Sequence, residues 1–169
     1  MGPSANLGKE TMGYDTKFTG KLTFAMEPQV KALARLARIL GKDYRTILSL
    51  ARDDPRFVAP VKPDWYSTDL MLTDDFDGIC WNGTEKCNGM VHAVNAVTLW
   101  MRCVYPSFRL CGELEAQGEE PEDRWLLVMD DDGRAKRVDK PVKGVKVTCP
   151  ECRHAFVVEV GDSYTRIRG

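Results

Sequence analysis

The sequence contains no apolar run that approaches the ~20 residues needed by a membrane-spanning helix. Its first six residues also lack the basic and then apolar layout of a secretory signal peptide. We therefore expect a cytoplasmic protein with no membrane partner. In that reducing compartment, the six cysteines predict free thiols and a metal site rather than disulfide bonds.

Established catalytic motifs are missing as well. The chain has no G-x-S-x-G nucleophile elbow, no P-loop, no H-E-x-x-H pair and no EF-hand loop. It also has no internal repeat and no low-complexity tract. These absences favour a protein that acts by binding over one that acts by catalysis.

Length and composition indicate one ordinary domain. The 169 residues are 43% apolar and 29% charged, which is typical of a soluble globular chain with a real core. The order of predicted elements indicates an α+β fold: a mostly antiparallel sheet covered by helices on one face, with a zinc-knuckle hairpin at the C-terminus. We expect a disordered extension or cloning remnant at residues 1–11, an α+β domain at 12–140, and the knuckle hairpin at 141–169, appended to the same domain.

Hydrophobic periodicity places the individual elements. Strands are predicted at 18–25, 65–72, 78–81, 108–117, 124–130, 135–139 and 145–148, and two short helices at about 28–40 and 43–51. The longest helix is predicted to begin near Thr84 or Asn88 and to end at about Val104. Its apolar residues form a face wide enough to lie across the sheet; they are Met90, Ala93, Val94, Ala96, Val97, Trp100, Met101, Cys103 and Val104.

The most chemically specific run in the chain is 147–158, which reads as strand, thiol turn and strand. Cys149 and Cys152 are two residues apart between apolar β-formers, which is half of a tetrahedral Zn²⁺ site and resembles the first knuckle of a zinc ribbon. A redox pair would instead precede a helix, whose dipole lowers the pKa of the thiol. We therefore expect about one structural zinc ion per chain, held in part by Cys149 and Cys152.

The second half of this zinc site is not evident. No cysteine pair follows Cys152. The remaining ligands would therefore lie upstream, or the metal would be shared, as across a dimer, or the knuckle would be empty. The eligible donors are Cys80, Cys87, Cys103, Cys111, His92 and His154. Cys87 and Cys103 are predicted on one helix, where sixteen residues of separation would point them in roughly opposite directions.

Charge is distributed unevenly, although the net charge is only −1. Residues 64–132 carry four basic residues against fifteen acidic ones, whereas both flanks are basic. The acidic centre argues against a broad nucleic-acid surface and suits a basic protein partner. We predict that this partner binds the acidic turn of Glu119, Glu120, Glu122 and Asp123. The alternative is that the turn only improves solubility.

Two other functions stay open. A zinc-bearing nucleic-acid-binding module would use the basic residues of the C-terminal flank, which are Arg134, Lys136, Arg137, Lys140, Lys143, Lys146, Arg153, Arg166 and Arg168. An enzyme of unknown reaction would have its site between two turns, one from Trp81 to Glu85 and the other from Gln117 to Asp123.

Three segments between residues 12 and 138 carry a resemblance to a known family. They are MGYDTKFTG at 12–20, WNGTEK at 81–86 and GELEAQGEEPEDRW at 112–125. In order and spacing they resemble small, mostly uncharacterised proteins of bacteriophages and bacteria. The resemblance implies a non-catalytic accessory or host-interaction protein, for example an inhibitor of a bacterial defence system. The cysteine knuckle lies outside the shared segments.

Overall fold

The structure is a computed structural model that describes residues 15–58, 67–85, 87, 89–140 and 144–159. The extension predicted at residues 1–11 lies outside these ranges, as do Lys143, Arg166 and Arg168 of the basic flank. In chain order the elements are β1 (Lys17–Phe24), α1 (Val30–Ala37), α2 (Tyr44–Asp53), β2 (Leu70–Leu72), β3 (Gly78–Trp81), α3 (Met90–Arg102), β4 (Leu110–Gln117), β5 (Arg124–Met129), β6 (Ala135–Asp139), β7 (Gly144–Thr148) and β8 (Ala155–Glu159).

Six of the strands form one sheet with the order β2-β3-β1-β4-β5-β6. Every neighbouring pair in it is antiparallel. The predicted α+β fold with an antiparallel sheet is therefore confirmed. Short hairpin connections account for the β2-β3 and β4-β5-β6 parts of this order, and β1 joins the two parts through its ladders with β3 and β4.

The longest ladder joins β1 to β4, and burial alternates along both strands. Phe18, Leu22 and Leu114 are buried, whereas Lys21 and Glu113, which lie opposite each other, are exposed. Because successive side chains of a strand point to opposite faces, one face of the sheet packs on the core and the other faces solvent.

Strand β3 approaches β1 closely at Gly78. A Cβ atom at this position would lie 2.1 Å from the backbone oxygen of Leu22, which is far inside van der Waals contact. A side chain here would push the two strands apart, so the close approach requires glycine.

Helix α3 covers the core face with the apolar residues that the sequence predicts. Val94, Val97, Trp100 and Met101 have no exposed surface, and Met90 is also buried. The breadth of this buried face makes α3 the main contact between the sheet and the helices.

The start of α3 differs from the prediction. The helix begins at Met90 rather than near Thr84 or Asn88, because Gly89 adopts a left-handed conformation with φ 74°. A right-handed helix does not continue through such a residue. Cys87 therefore precedes the helix, and the prediction that it shares α3 with Cys103 is wrong.

The strand predicted at 65–72 is also shorter within the described residues. The Thr68 backbone N–H donates to the Lys42 carbonyl at 3.0 Å, and its hydroxyl donates to the Ile39 carbonyl. These bonds tie the chain to the connection between α1 and α2, so pairing with β3 begins only at Leu70.

Arg35 of α1 holds the helices together through Trp100 of α3. Its guanidinium carbon lies 3.7 Å from the centroid of the Trp100 ring. Arg35 Nε and Nη2 donate to the Trp100 carbonyl at 3.1 and 2.7 Å, and the Trp100 indole N–H donates to the Arg35 carbonyl at 3.0 Å. Since the Arg35 side chain is only 11% exposed, this stacked cation is largely desolvated, a setting in which such contacts contribute about 2 kcal/mol.

Asp54 extends this contact to the end of α2. One of its oxygens lies 3.4 Å from Arg35 Nη1, and both oxygens accept hydrogen bonds from Arg56 at 2.8 Å. The Arg56 hydrogen bonds are the main cause that lowers the pKa of Asp54 to about 2. The carboxylate is therefore ionised at neutral pH, so α1, α2 and α3 meet around one network of charges.

Asn95 of α3 binds the edge strand β6. Its side-chain oxygen accepts from the Ala135 N–H at 2.8 Å, and its side-chain nitrogen donates to the Ala135 carbonyl at 3.1 Å. An edge strand exposes unpaired backbone groups that can recruit other chains. Asn95 binds both the backbone N–H and the backbone carbonyl of Ala135.

Strands β7 and β8 form a separate two-stranded sheet, in which Val147 lies opposite Phe156 and Thr148 lies opposite Ala155. This arrangement confirms the predicted order of strand, turn and strand. The domain boundaries predicted at 12, 140 and 141 stay predictions.

Replacing Val97 by aspartate should destabilise the fold strongly. Val97 has no exposed surface, so the variant would bury an unpaired charge at a cost of several kcal/mol, about 3 or more. Thermal denaturation followed by circular dichroism measures the effect.

The matched control for this variant is Leu99→Asp, because Leu99 lies on the same helix with 43% of its surface exposed. We expect the melting temperature to fall by more than about 10 °C for Val97→Asp and by only a few degrees for Leu99→Asp. Equal shifts in the two variants would mean that α3 does not pack as described.

Candidate metal centre

The turn between β7 and β8 brings Cys149 and Cys152 to one side of a tight loop. The Cys149 N–H donates to the His154 carbonyl at 2.9 Å, and the Arg153 N–H donates to the Cys149 carbonyl at 2.9 Å. The backbone of Arg153 is in the left-handed region, with φ 57°, and this conformation reverses the chain directly after Cys152. Such a conformation is uncommon outside glycine, asparagine and aspartate. The flanking strands and these two bonds therefore hold the turn in one shape.

Hydrogen bonding within the turn favours the ionised form of the Cys149 thiol. The N–H of Cys152 contributes most, followed by the N–H of Glu151 and then by the Cys152 thiol, and together these hydrogen bonds lower the pKa of Cys149. Pro150 has no N–H, so the donors begin with the residue after it. Hydrogen bonds donated to a sulfur stabilise its thiolate form, which is the form that binds metal.

The other four cysteines do not complete this site. Cys87 is buried, and that burial, followed by the nearby Asp69, raises the pKa of its thiol. Cys103 contacts the carbonyl oxygens of Arg56 and Leu99 at 3.0 and 3.2 Å, and burial is the main cause that raises its pKa. These two are structural thiols.

Cys80 and Cys111 lie on the solvent-facing side of the sheet, on β3 and β4. These strands are not neighbours, because β1 lies between them. Two strand spacings separate them laterally by about 10 Å. Ligands of one zinc ion have sulfurs only about 3.8 Å apart, as follows from a Zn–S distance near 2.3 Å. Cys80 and Cys111 therefore do not form a second pair.

Within the described residues, no group of three His, Cys, Asp or Glu side chains is placed to hold a metal ion. All six cysteines and both histidines belong to those residues. Cys149 and Cys152 would therefore supply two thiol ligands of the kind that zinc prefers. This is half of the four ligands that a structural zinc site contains.

The acidic turn connects β4 to β5. The carboxylate of Glu119 accepts the Asp15 N–H at 2.8 Å, and Asp123 lies 3.3 Å from the Arg137 guanidinium. The side chains of Glu120 and Glu122 are exposed, and neither has a hydrogen bond or ion pair with the part of the chain that the structure describes. The four predicted partner-binding acids are therefore neighbours, but two of them also support the fold.

The basic flank is partly neutralised. Arg137 pairs with Asp123 and Asp139, and it stacks 4.7 Å from the centroid of the Trp125 ring. Lys140 pairs with Glu115 at 3.0 Å. Cations that are already paired contribute less to a phosphate-binding surface, because binding would first break their ion pairs.

The two turns proposed for an enzyme reach the same end of the sheet. The Phe18 ring contacts Trp81, which begins the first turn, and Trp125, which lies on β5 just after the second; the centroid distances are 6.2 and 5.5 Å. A surface cleft of about 200 Å³ lies at the opposite end, near Met26 and Tyr105. That cleft does not join the two turns.

Asp69 is a buried acid that no sequence motif marks, and only 7% of its surface is exposed. Its carboxylate accepts a hydrogen bond from the Ser67 hydroxyl, and after burial it is the next cause that raises the pKa of the Cys87 thiol. No local pattern links positions 69 and 87, so only the fold reveals the contact.

No helix among the described residues has the length and apolar content required to cross a bilayer. Comparisons with family profiles, with curated proteins and with solved structures found no match to this chain.

In the reduced, metal-free protein, Cys149 should be alkylated several times faster than Cys111 at pH 7. Its lowered pKa leaves a larger fraction of the thiol ionised, and the thiolate is the reactive form. Cys111 is the internal reference because it is exposed on β4. Iodoacetamide labelling followed by peptide mass spectrometry gives both rates. A rate for Cys149 at or below that of Cys111 would contradict the amide arrangement.

Proposed function

We propose that the protein is a non-catalytic binding protein whose C-terminal hairpin carries a structural zinc ion on Cys149 and Cys152. The observation that carries this proposal is the turn between β7 and β8, which holds Cys149 and Cys152 together and is closed by the hydrogen bonds from Cys149 N–H to the His154 carbonyl and from Arg153 N–H to the Cys149 carbonyl. Zinc prefers thiolate ligands, and two thiolates on a strand-flanked turn are a recurring half of its structural sites.

A redox role fits this turn less well. Reactive C-x-x-C pairs draw their low pKa from the N-terminus of a following helix. Here Cys152 is followed by β8, and the donors to sulfur belong to the turn itself. The turn is thus organised for binding an ion rather than for exchanging a disulfide.

A basic protein surface is the partner that we propose for the acidic turn. Glu120 and Glu122 project their carboxylates from a connection whose backbone is fixed by hydrogen bonds from Gln117 and Gly118. Fixed negative charges speed the association of a positive surface and favour the correct orientation. The resemblance to phage and bacterial proteins supports a host protein as this partner, and inhibition of a defence enzyme is one role of that type.

Purified protein should contain zinc, and the Cys149→Ser and Cys152→Ser variants should lose it. Each substitution removes a thiolate that the remaining ligands cannot replace. Elemental analysis after gel filtration in reducing buffer measures the metal. The matched control is Cys111→Ser, which removes an exposed thiol outside the turn and should keep the zinc. Absence of zinc from the unaltered protein, even after incubation with Zn²⁺, would refute the metal site.

Reversing Glu120 and Glu122 to lysine should abolish capture of the proposed partner without changing the melting temperature by more than about 2 °C. The two side chains are exposed, so the fold tolerates the change. Affinity capture from host lysate, with quantitative mass spectrometry at physiological salt, compares the variant with the unaltered protein.

The control for the turn is an equal charge change at Asp131 and Asp132, which are exposed in the connection between β5 and β6. A protein captured by the control and by the unaltered chain, but not by the Glu120/Glu122 variant, would support the proposal. Capture that survives the reversal would leave the turn as a solubilising feature. Salt-dependent binding of DNA or RNA would instead favour the nucleic-acid alternative.

A further inference from the structure

The knuckle is incomplete as a zinc site within one chain. Structural zinc ions are almost always bound by four protein ligands. Cys149 and Cys152 supply two, and no third His, Cys, Asp or Glu side chain of the described residues joins them. The question is therefore where the other two ligands come from.

The remaining four cysteines lie in or next to the strands and helices of the six-stranded part of the fold. Cys87 is buried beside Asp69, and Cys103 is held by two backbone carbonyls. Cys80 and Cys111 stand on separate strands with β1 between them, so together they cannot provide a pair. A second thiol pair with knuckle geometry is present only in another copy of this chain.

The surface around the knuckle suits contact with such a copy. Val147 is 38% exposed and precedes Cys149 by two residues. Val147 lies near the end of β7, which leads directly into the thiol turn, so an exposed apolar side chain lies close in the chain to Cys149. Both Cys149 and Cys152 retain exposed surface, so a second knuckle can reach them.

We propose that one zinc ion is shared by two copies of this chain, each giving Cys149 and Cys152, so that the ion lies on the two-fold axis of a homodimer. The inference rests on the proposed zinc-binding function and names its partner. A two-fold axis brings the same patch of both copies together, which places Val147 of each chain beside the same ion. Four thiolates then close the coordination shell that one chain leaves half filled.

The test is a Zn²⁺ titration of the full-length, reduced protein followed by zinc analysis and by sedimentation equilibrium. We expect binding to saturate at about half an ion per chain, rather than the one ion expected from the sequence, and the mass to double as zinc is added. Excess chelator should return the mass to that of the monomer. The Cys149→Ser/Cys152→Ser double variant should remain monomeric at the same zinc concentration, whereas Cys80→Ser/Cys111→Ser should still dimerise.

Each outcome is decisive. One ion per chain on a monomer would overturn the shared site while leaving the zinc-binding function intact. A dimer whose mass is unaffected by chelator would overturn it as well, as would loss of zinc from the Cys80→Ser/Cys111→Ser variant. Failure of the unaltered protein to bind any zinc would overturn both proposals. The chelator arm uses the unaltered chain, so the result does not depend on the folding of a variant.

Discussion

The stacking of Arg35 on Trp100 is the interaction on which the arrangement of the helices depends. Each residue donates to the other's backbone carbonyl, so the contact fixes the distance and the rotation of α1 relative to α3. Phe57 packs edge to face with the Trp100 ring, with the two ring centroids 4.9 Å apart. A charge at the centre of a helical layer is stable only when it is paired and hydrogen-bonded, and Asp54 and the Trp100 carbonyl meet that requirement.

Segments that are far apart in the sequence lie together at one end of the six-stranded sheet. The first residues of β1, the last residue of β3 and the connection between β4 and β5 lie together there, because β1 is antiparallel to both of its neighbours. The side chain of Glu119, in this connection, accepts the N–H of Asp15, which lies just before β1. The acidic turn is therefore joined to the start of β1 as well as to β4 and β5.

Periodicity in the sequence predicts most of this fold, because burial repeats along each element. The predicted bounds of β3 and β6 agree with the structure, and the helix predicted to begin near residue 43 is capped by Asp43, which accepts the Thr46 N–H at 3.1 Å. Contacts between distant positions are not predictable in this way. The apolar pattern of α3, for example, does not reveal that Asn95 binds the backbone of β6. The spacing of Cys149 and Cys152 predicts a thiol pair, but any further ligands of a metal there would depend on tertiary or quaternary contacts, which leave no local pattern.

The separate sheet of β7 and β8 has a thermodynamic consequence. A two-stranded hairpin alone is at best marginally stable in water, so a ligand that binds only its folded form contributes its whole binding energy to folding. For a metal present at 100 times its dissociation constant this amounts to about 2.7 kcal/mol. Occupancy of the knuckle would therefore set how much of the C-terminal segment is folded, while the six-stranded sheet, with its own core, would not respond. The chain would then contain two parts that melt independently, and only one of them would depend on the free zinc concentration of its surroundings.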